Sequence, residues 1–233
     1  MTRPGQADEI GRGVLARASA VVYRYLVLGA FLGLFGAPTL IAWTLLVPDG
    51  SNAGLFVAAL APVAPALSAA LYAQRSWSRD PDLSPGRALW RGLRSNLVDT
   101  AKWWLPVLVL AGVLTFNVFF ASTVPGGDIL RPVCLVLLAV LTVWAGHLLV
   151  ATSYFSFRTR DALRVAAAEF FLGWRSTLGL VALLIVAIGA VVLISEAALL
   201  LTGWAFAGLL RLIMRPVEAD IIRRFVDPAS DPA

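Results

Sequence analysis

Apolar residues in this chain come in long unbroken runs instead of alternating with polar ones. Five runs are plain, at Tyr23–Leu46, Gly54–Ala73, Trp103–Ser122, Pro132–Phe155 and Thr177–Ile194, and a sixth, Ala197–Met214, follows almost directly on the fifth. A bilayer's hydrocarbon core is about 30 Å thick, which takes roughly 20 apolar residues of helix to cross. Lipid offers the backbone no hydrogen-bond partners, so a spanning segment has to be a helix or part of a closed barrel. Barrel strands alternate over about ten residues, and these runs do not. The pattern predicts an all-α, polytopic membrane bundle of six transmembrane helices. Five is the alternative, because Thr177 to Met214 is nearly continuous. As one helix it would extend about 57 Å at about 1.5 Å per residue, far more than a bilayer. Ser195-Glu196, the strongly polar pair midway, predicts a reversal there.

Two polar connections carry helical periodicity of their own. After Ser84, an N-cap, and Pro85 at the first helical position, Leu89, Leu93 and Leu97 recur on one face, with Arg87, Arg91 and Arg94 on others. Such a segment is expected to lie along the headgroups. From Thr159 to Trp174, Leu163, Ala166, Ala167, Phe170 and Phe171 fall at helical spacing. Both are read as amphipathic connecting helices at the cytoplasmic surface.

Charge sets the orientation. The segment before span one (Arg3, Arg12, Arg17, Arg24) and those between spans two and three (Arg75 to Lys102) and four and five (Arg158 to Arg175) are basic. The alternate loops hold Asp49, and Asp128 with Arg131. Short cytoplasmic loops are enriched in Lys and Arg. Six spans bring Arg211, Arg215, Arg223 and Arg224 to the same side, whereas five would put them outside. Both termini are therefore expected in the cytoplasm. This gives a single domain over residues 1–233: a cytoplasmic segment 1–22, the bundle 23–214 and a cytoplasmic tail 215–233. The first run is too long for a signal-peptide core and lacks a small-residue cleavage site, so it is kept as a span.

Composition agrees, with 59% apolar and 14% charged residues in a chain of 233 and a mean hydropathy of +0.82. The net charge of +5 is dispersed between apolar runs, which argues against nucleic acid and for a membrane face or anionic lipid as partner. The lone cysteine, Cys134, lies in an apolar run and reads as packing.

Candidate chemistry is sparse. His147 in span four is read as a helix-to-helix hydrogen bond before a ligand or proton sensor. Asn117 in span three lies nearer the outer end, too far to pair with it. Glu196 falls at the outer turn and is read as solvated there before it is read as part of a small polar vestibule with Asp128 and Arg131. Pro38, Pro62 and Pro65 should kink or loosen their helices and free carbonyls near the middle of span two, which is read as plain bundle structure before a binding cavity. Gly29 and Gly33, with Gly36, read as a packing face, and Trp43, Trp103, Trp104 and Trp174 as an aromatic belt. No catalytic residue, cofactor site or metal site is predicted. A calcium-loop reading of Asp80 to Arg91 fails at Pro85 and Arg91, where glycine and glutamate are needed. Walker, zinc-protease and nucleophile-elbow patterns are absent from the sequence. Non-enzymatic is the expectation.

An arginine-bearing lead, a second span containing Pro65-Ala66-Leu67-Ser68-Ala69-Ala70-Leu71, and a loop Ala88-Leu89-Trp90-Arg91-Gly92-Leu93-Arg94-Ser95-Asn96-Leu97 lead into span three. This layout resembles the YesL-like family of bacterial integral membrane proteins over nearly the whole chain. It departs from that pattern at Ala61-Pro62-Val63-Ala64-Pro65, where Gly-x-x-Pro-Ala is usual. The resemblance implies a bacterial cytoplasmic (inner) membrane protein with an accessory role in carbohydrate or other solute uptake, and it brings no functional residues. Two functional expectations follow. The first is a non-enzymatic component docking a transporter or anionic lipid through its basic helices. The second is a small permease with its own cavity near Pro62, Pro65, Asn117 and His147.

Overall fold

In the computed structural model, residues 14–80, 83–155 and 157–223 are described. The outer parts of the predicted terminal segments, including Arg3, Arg12 and Arg224, lie outside these residues. Eight α-helices follow in order: α1 Val14–Leu45, α2 Ala53–Ala58, α3 Val63–Arg79, α4 Pro85–Phe120, α5 Gly127–Tyr154, α6 Thr159–Leu172, α7 Trp174–Leu193 and α8 Glu196–Ile221. No strand occurs among the described residues. Six helical stretches are long and apolar enough to cross a membrane, α2 and α3 together forming the second. The reversal predicted at Ser195-Glu196 is present, with α7 ending at Leu193 and α8 beginning at Glu196. The chain is thus an all-α multi-pass membrane bundle.

The exterior of the bundle carries side chains that water would reject. Leu34, Val109, Ile185 and Leu193 are 64–84% exposed, and only 11–44% of the residues in each span's most apolar stretch are buried inside the protein. Lipid covers such a surface at no cost. Burial in the bundle is therefore selected by close fit and polar contact more than by hydrophobicity.

That rule explains why α3 sits at the centre. Ala64, Ala66, Ala69, Ala70, Ala73 and Ser68 are all buried, and their small size lets α1, α4, α5 and α8 approach it. Glycines do the same elsewhere. A Cβ on Gly36 would run into Leu200, and one on Gly29 would touch Trp204 at 3.4 Å, so α1 lies antiparallel against α8. Gly33, the middle member of the predicted face, meets nothing. Gly92 backs onto Tyr72, joining α4 to α3, and Gly179 onto Ile213, joining α7 to α8. Gly126 opens α5 in the left-handed region at φ 80°, a conformation that glycine adopts without penalty.

Two expectations about the connections change. The segment after Ser84 does not lie apart along the headgroups; it is the first part of α4, a continuous helix of 36 residues, about 54 Å long at about 1.5 Å per residue. Ser84 is the N-cap residue, but its hydroxyl makes no capping bond. The second connection is a separate helix, α6, turned by about one position. It buries Ala162, Val165, Ala166 and Glu169 and leaves Phe171 77% exposed. Ala166 of the predicted stripe is buried and Leu163 and Phe170 pack against the core, so of the two aromatic residues only Phe171 is left outside. Helix boundaries shift too: α1 begins before Tyr23 and α8 continues past Met214 to Ile221.

Candidate functional site

The second span is broken where its prolines predict. Pro62 and Pro65 have no N–H to donate, and residues 59–62 form turns between α2 and α3. Leu60 N–H donates to the Val57 carbonyl and Val63 N–H to that of Leu60, so the carbonyls of Phe56 and Ala59 lose their usual helical donors. Side chains take them up. Trp43 Nε1 donates to the Phe56 carbonyl at 2.9 Å and Thr39 Oγ1 to that of Ala59 at 2.7 Å. Trp104 Nε1 donates to the Leu60 carbonyl at 3.2 Å. An orphaned carbonyl in lipid costs several kcal/mol, so the bonds from Thr39 and Trp43 of α1 are what allow the break, and Trp104 of α4 adds a second donor at Leu60.

Beside the break lies a cavity of about 530 Å³ with walls from all six spans. Leu32 and Leu40 contribute from α1, Ala64 and Leu67 from α3, Val107 and Ala111 from α4. Leu149 of α5, Leu184 and Ala187 of α7, and Leu200 and Phe206 of α8 complete it. Its few polar side chains are mostly engaged: Thr39, Trp43 and Trp104 as described, and Thr142 Oγ1 with the Leu138 carbonyl at 2.8 Å. Two are not. The Trp103 indole N–H is buried without a partner, and Glu196 on the wall makes no hydrogen bond or ion pair with the described residues.

Trp103 and Trp104, expected in an aromatic belt, instead turn inward. They pack edge to face with centroids 5.7 Å apart, and Trp103 is 3% exposed. Trp174 does lie outside, under the Arg175 guanidinium, and Cys134 is buried as packing.

The other predicted residues disperse. His147 Nε2 is 3.0 Å from Thr177 Oγ1, which donates to the Phe170 carbonyl at 2.9 Å. The Thr177 proton is engaged, so the imidazole donates through Nε2, an assignment made from the network. His147 therefore ties α5 to α7 and α6, the helix-to-helix role expected of it, and it does not line the cavity. Asn117 donates to its own helix at the Val113 carbonyl, 2.8 Å away. Pro62 and Pro65 shape the break, and Glu196 alone of the five reaches the cavity wall.

Sequence reasoning missed a polar closure at the basic end of the bundle. Arg75 Nε is 2.7 Å from Glu218 Oε1, and its Nη1 donates to the Tyr154 carbonyl at 2.5 Å. The guanidinium lies 4.9 Å over the Tyr154 ring. One side chain from α3 thus joins the ends of α5 and α8, and Arg211 adds a bond to Ser78 at 2.9 Å. Deeper in, Ser153 Oγ lies 2.8 Å from Ser68 Oγ, which also accepts from Asn96 Nδ2 at 3.2 Å. In sequence Arg75 looked like any loop arginine; the acid at Glu218, facing it across the bundle, gave no local signal.

Among the described residues no three His, Cys, Asp or Glu side chains gather as a metal site needs. No family model matches the chain, and none of the curated proteins or solved structures compared with it does. Fold and site together define a multi-pass α-helical membrane protein with an apolar cavity at a broken helix.

Proposed function

We propose that this protein binds a lipophilic small molecule between its spans, as a carrier or as the binding component of a transport system, without catalysing a reaction. The observation that supports this is the cavity. Its volume is in the range of small-molecule sites, roughly 300–1,000 Å³. Its walls are mainly apolar, and Thr39, Trp43 and Trp104, half of the polar side chains described on them, already serve the broken helix. A sugar would leave its hydroxyls unpaired there, at about 1–3 kcal/mol each, so a carbohydrate is a poor occupant. An accessory role beside a solute transporter, as the YesL-like resemblance implies, is compatible with an apolar ligand.

The orientation belongs to the same proposal. With Arg75, Arg79, Arg211 and Arg215 at one end of the bundle and Arg131 as the only described basic residue at the other, the basic end faces the cytoplasm of a bacterial inner membrane. Arg87, Arg91 and Arg94 flank the exposed Trp90 in one shallow groove on α4, which suits anionic headgroups or an acidic partner.

The test is photolabelling in zwitterionic nanodiscs with a neutral alkyl diazirine ending in a hydroxyl. Saturable labelling mapped to wall residues, weakened about tenfold when Ala111→Phe and Ala187→Phe fill the cavity, is the expected result. Labelling that never saturates, or that is equal in the filled variant, would show plain lipid partitioning and overturn the reading.

A further inference from the structure

We infer that the cavity's ligand is a lipophilic cation and that Glu196 is the residue that holds its charge. This rests on the cavity-binding reading and adds the ligand's class. Among the described residues, Glu196 is the only ionisable one that lines the wall. It is half-buried, and no described residue supplies it with a hydrogen bond or an opposite charge. Carboxylates at the edge of lipid are costly unless paired or solvated, and the other half-buried acids among the described residues, Glu218 and Asp220, each have an arginine. Arg131, the basic side chain described at this end, is not on the wall.

Position adds to the argument. Glu196 is in the first turn of α8. The antiparallel contacts of Gly36 with Leu200 and of Gly29 with Trp204, carried one turn further, bring Glu196 to the level of Leu40 on α1. Trp43 is one turn beyond and also on the wall. A cation at this end would meet a carboxylate and an indole, two groups that attract positive charge. Its apolar body would extend along the leucines toward Leu67 and Leu210. A neutral lipophile would leave Glu196 facing apolar matter, and an anion would be repelled.

The experiment pairs the hydroxyl-ended diazirine probe with an otherwise identical probe ending in trimethylammonium, both in zwitterionic nanodiscs so that lipid charge does not concentrate the cation. The trimethylammonium probe is expected to saturate at a concentration at least tenfold lower than the hydroxyl probe. Glu196→Gln should erase that difference, and Glu196→Asp should keep most of it. Thermal unfolding of Glu196→Gln in the same nanodiscs, at the temperature of the unmodified protein, establishes that the variant is folded. Equal affinities in the unmodified protein, or a cation preference that persists in Glu196→Gln, would overturn the assignment while the cavity reading stands. Saturation by neither probe would overturn both.

Discussion

A single guanidinium does much of the joining at the basic end. Arg75 has its side chain 14% exposed and Glu218 21%, so neither charge is freely hydrated, and each depends on the other and on the Tyr154 carbonyl. Removing one member of such a pair leaves the other charge stranded, which costs more than losing the pair as a unit. Arg75→Ala and Glu218→Ala are each expected to destabilise the purified protein by about 2 kcal/mol or more. The double variant Arg75→Leu/Glu218→Leu should lose clearly less than the sum of the two. Thermal unfolding in nanodiscs measures this, and strictly additive losses would mean that the two side chains are not coupled. The same logic of partnership applies at Thr39, Trp43 and Trp104, whose bonds are only about 1 kcal/mol each in net terms but prevent a larger penalty at open carbonyls.

At the scale of elements, the broken second span is the feature on which the cavity depends. Two prolines remove two donors, the helix narrows into turns at residues 59–62, and α1 and α4 supply substitutes. Replacing both, as Pro62→Ala/Pro65→Ala, returns donors for the Ala58 and Ala61 carbonyls and lets α2 run into α3. The expected outcome is slower amide exchange from Leu60 to Ala66 and displacement of Trp43 and Trp104 from their carbonyls, seen as altered indole N–H resonances. Exchange as fast as in the unmodified protein would mean that packing, not proline, holds the break open. α6 teaches a related lesson. Helical spacing marked a stripe that includes Phe170 and Phe171, yet the fully buried positions are Ala162, Val165, Ala166 and Glu169, with Phe170 packed at their edge and Phe171 outside. In lipid, an aromatic ring gains little from full burial, whereas a carboxylate must find protein.

For the whole molecule, alternating topology is the claim that every functional argument needs. Reporters active only inside or only outside the cell, fused after Gln74, Gly126, Thr159, Glu196 and Ala233, should show Gln74, Thr159 and Ala233 inside and the other two outside. An outside Ala233 would mean that α7 and α8 do not cross separately. Glu196 would then not sit at the outer turn, and the assigned cation site would lose its access.

The amino-acid sequence by itself determined the class, six apolar stretches long enough to cross a bilayer, and the turn between the last two. These follow from local properties: the length of an apolar run against bilayer thickness, a polar pair at Ser195-Glu196, prolines that lack a donor, and arginines concentrated in alternate loops. It also pointed to a kink or loosening in span two and to a bond from His147 to another helix, because a missing donor and a polar ring in lipid each demand a partner. It did not name the partner. That Thr39 and Trp43 take the freed carbonyls, that Trp103 and Trp104 turn inward, that Arg75 meets Glu218, and that Glu196 alone of the candidates reaches a cavity were decided by tertiary structure. The physical reason is that lipid makes nearly all apolar faces equivalent. Which face turns inward is then set by small side chains, helix crossings and polar contacts between residues as far apart as 75 and 218, for which a linear pattern carries no signal.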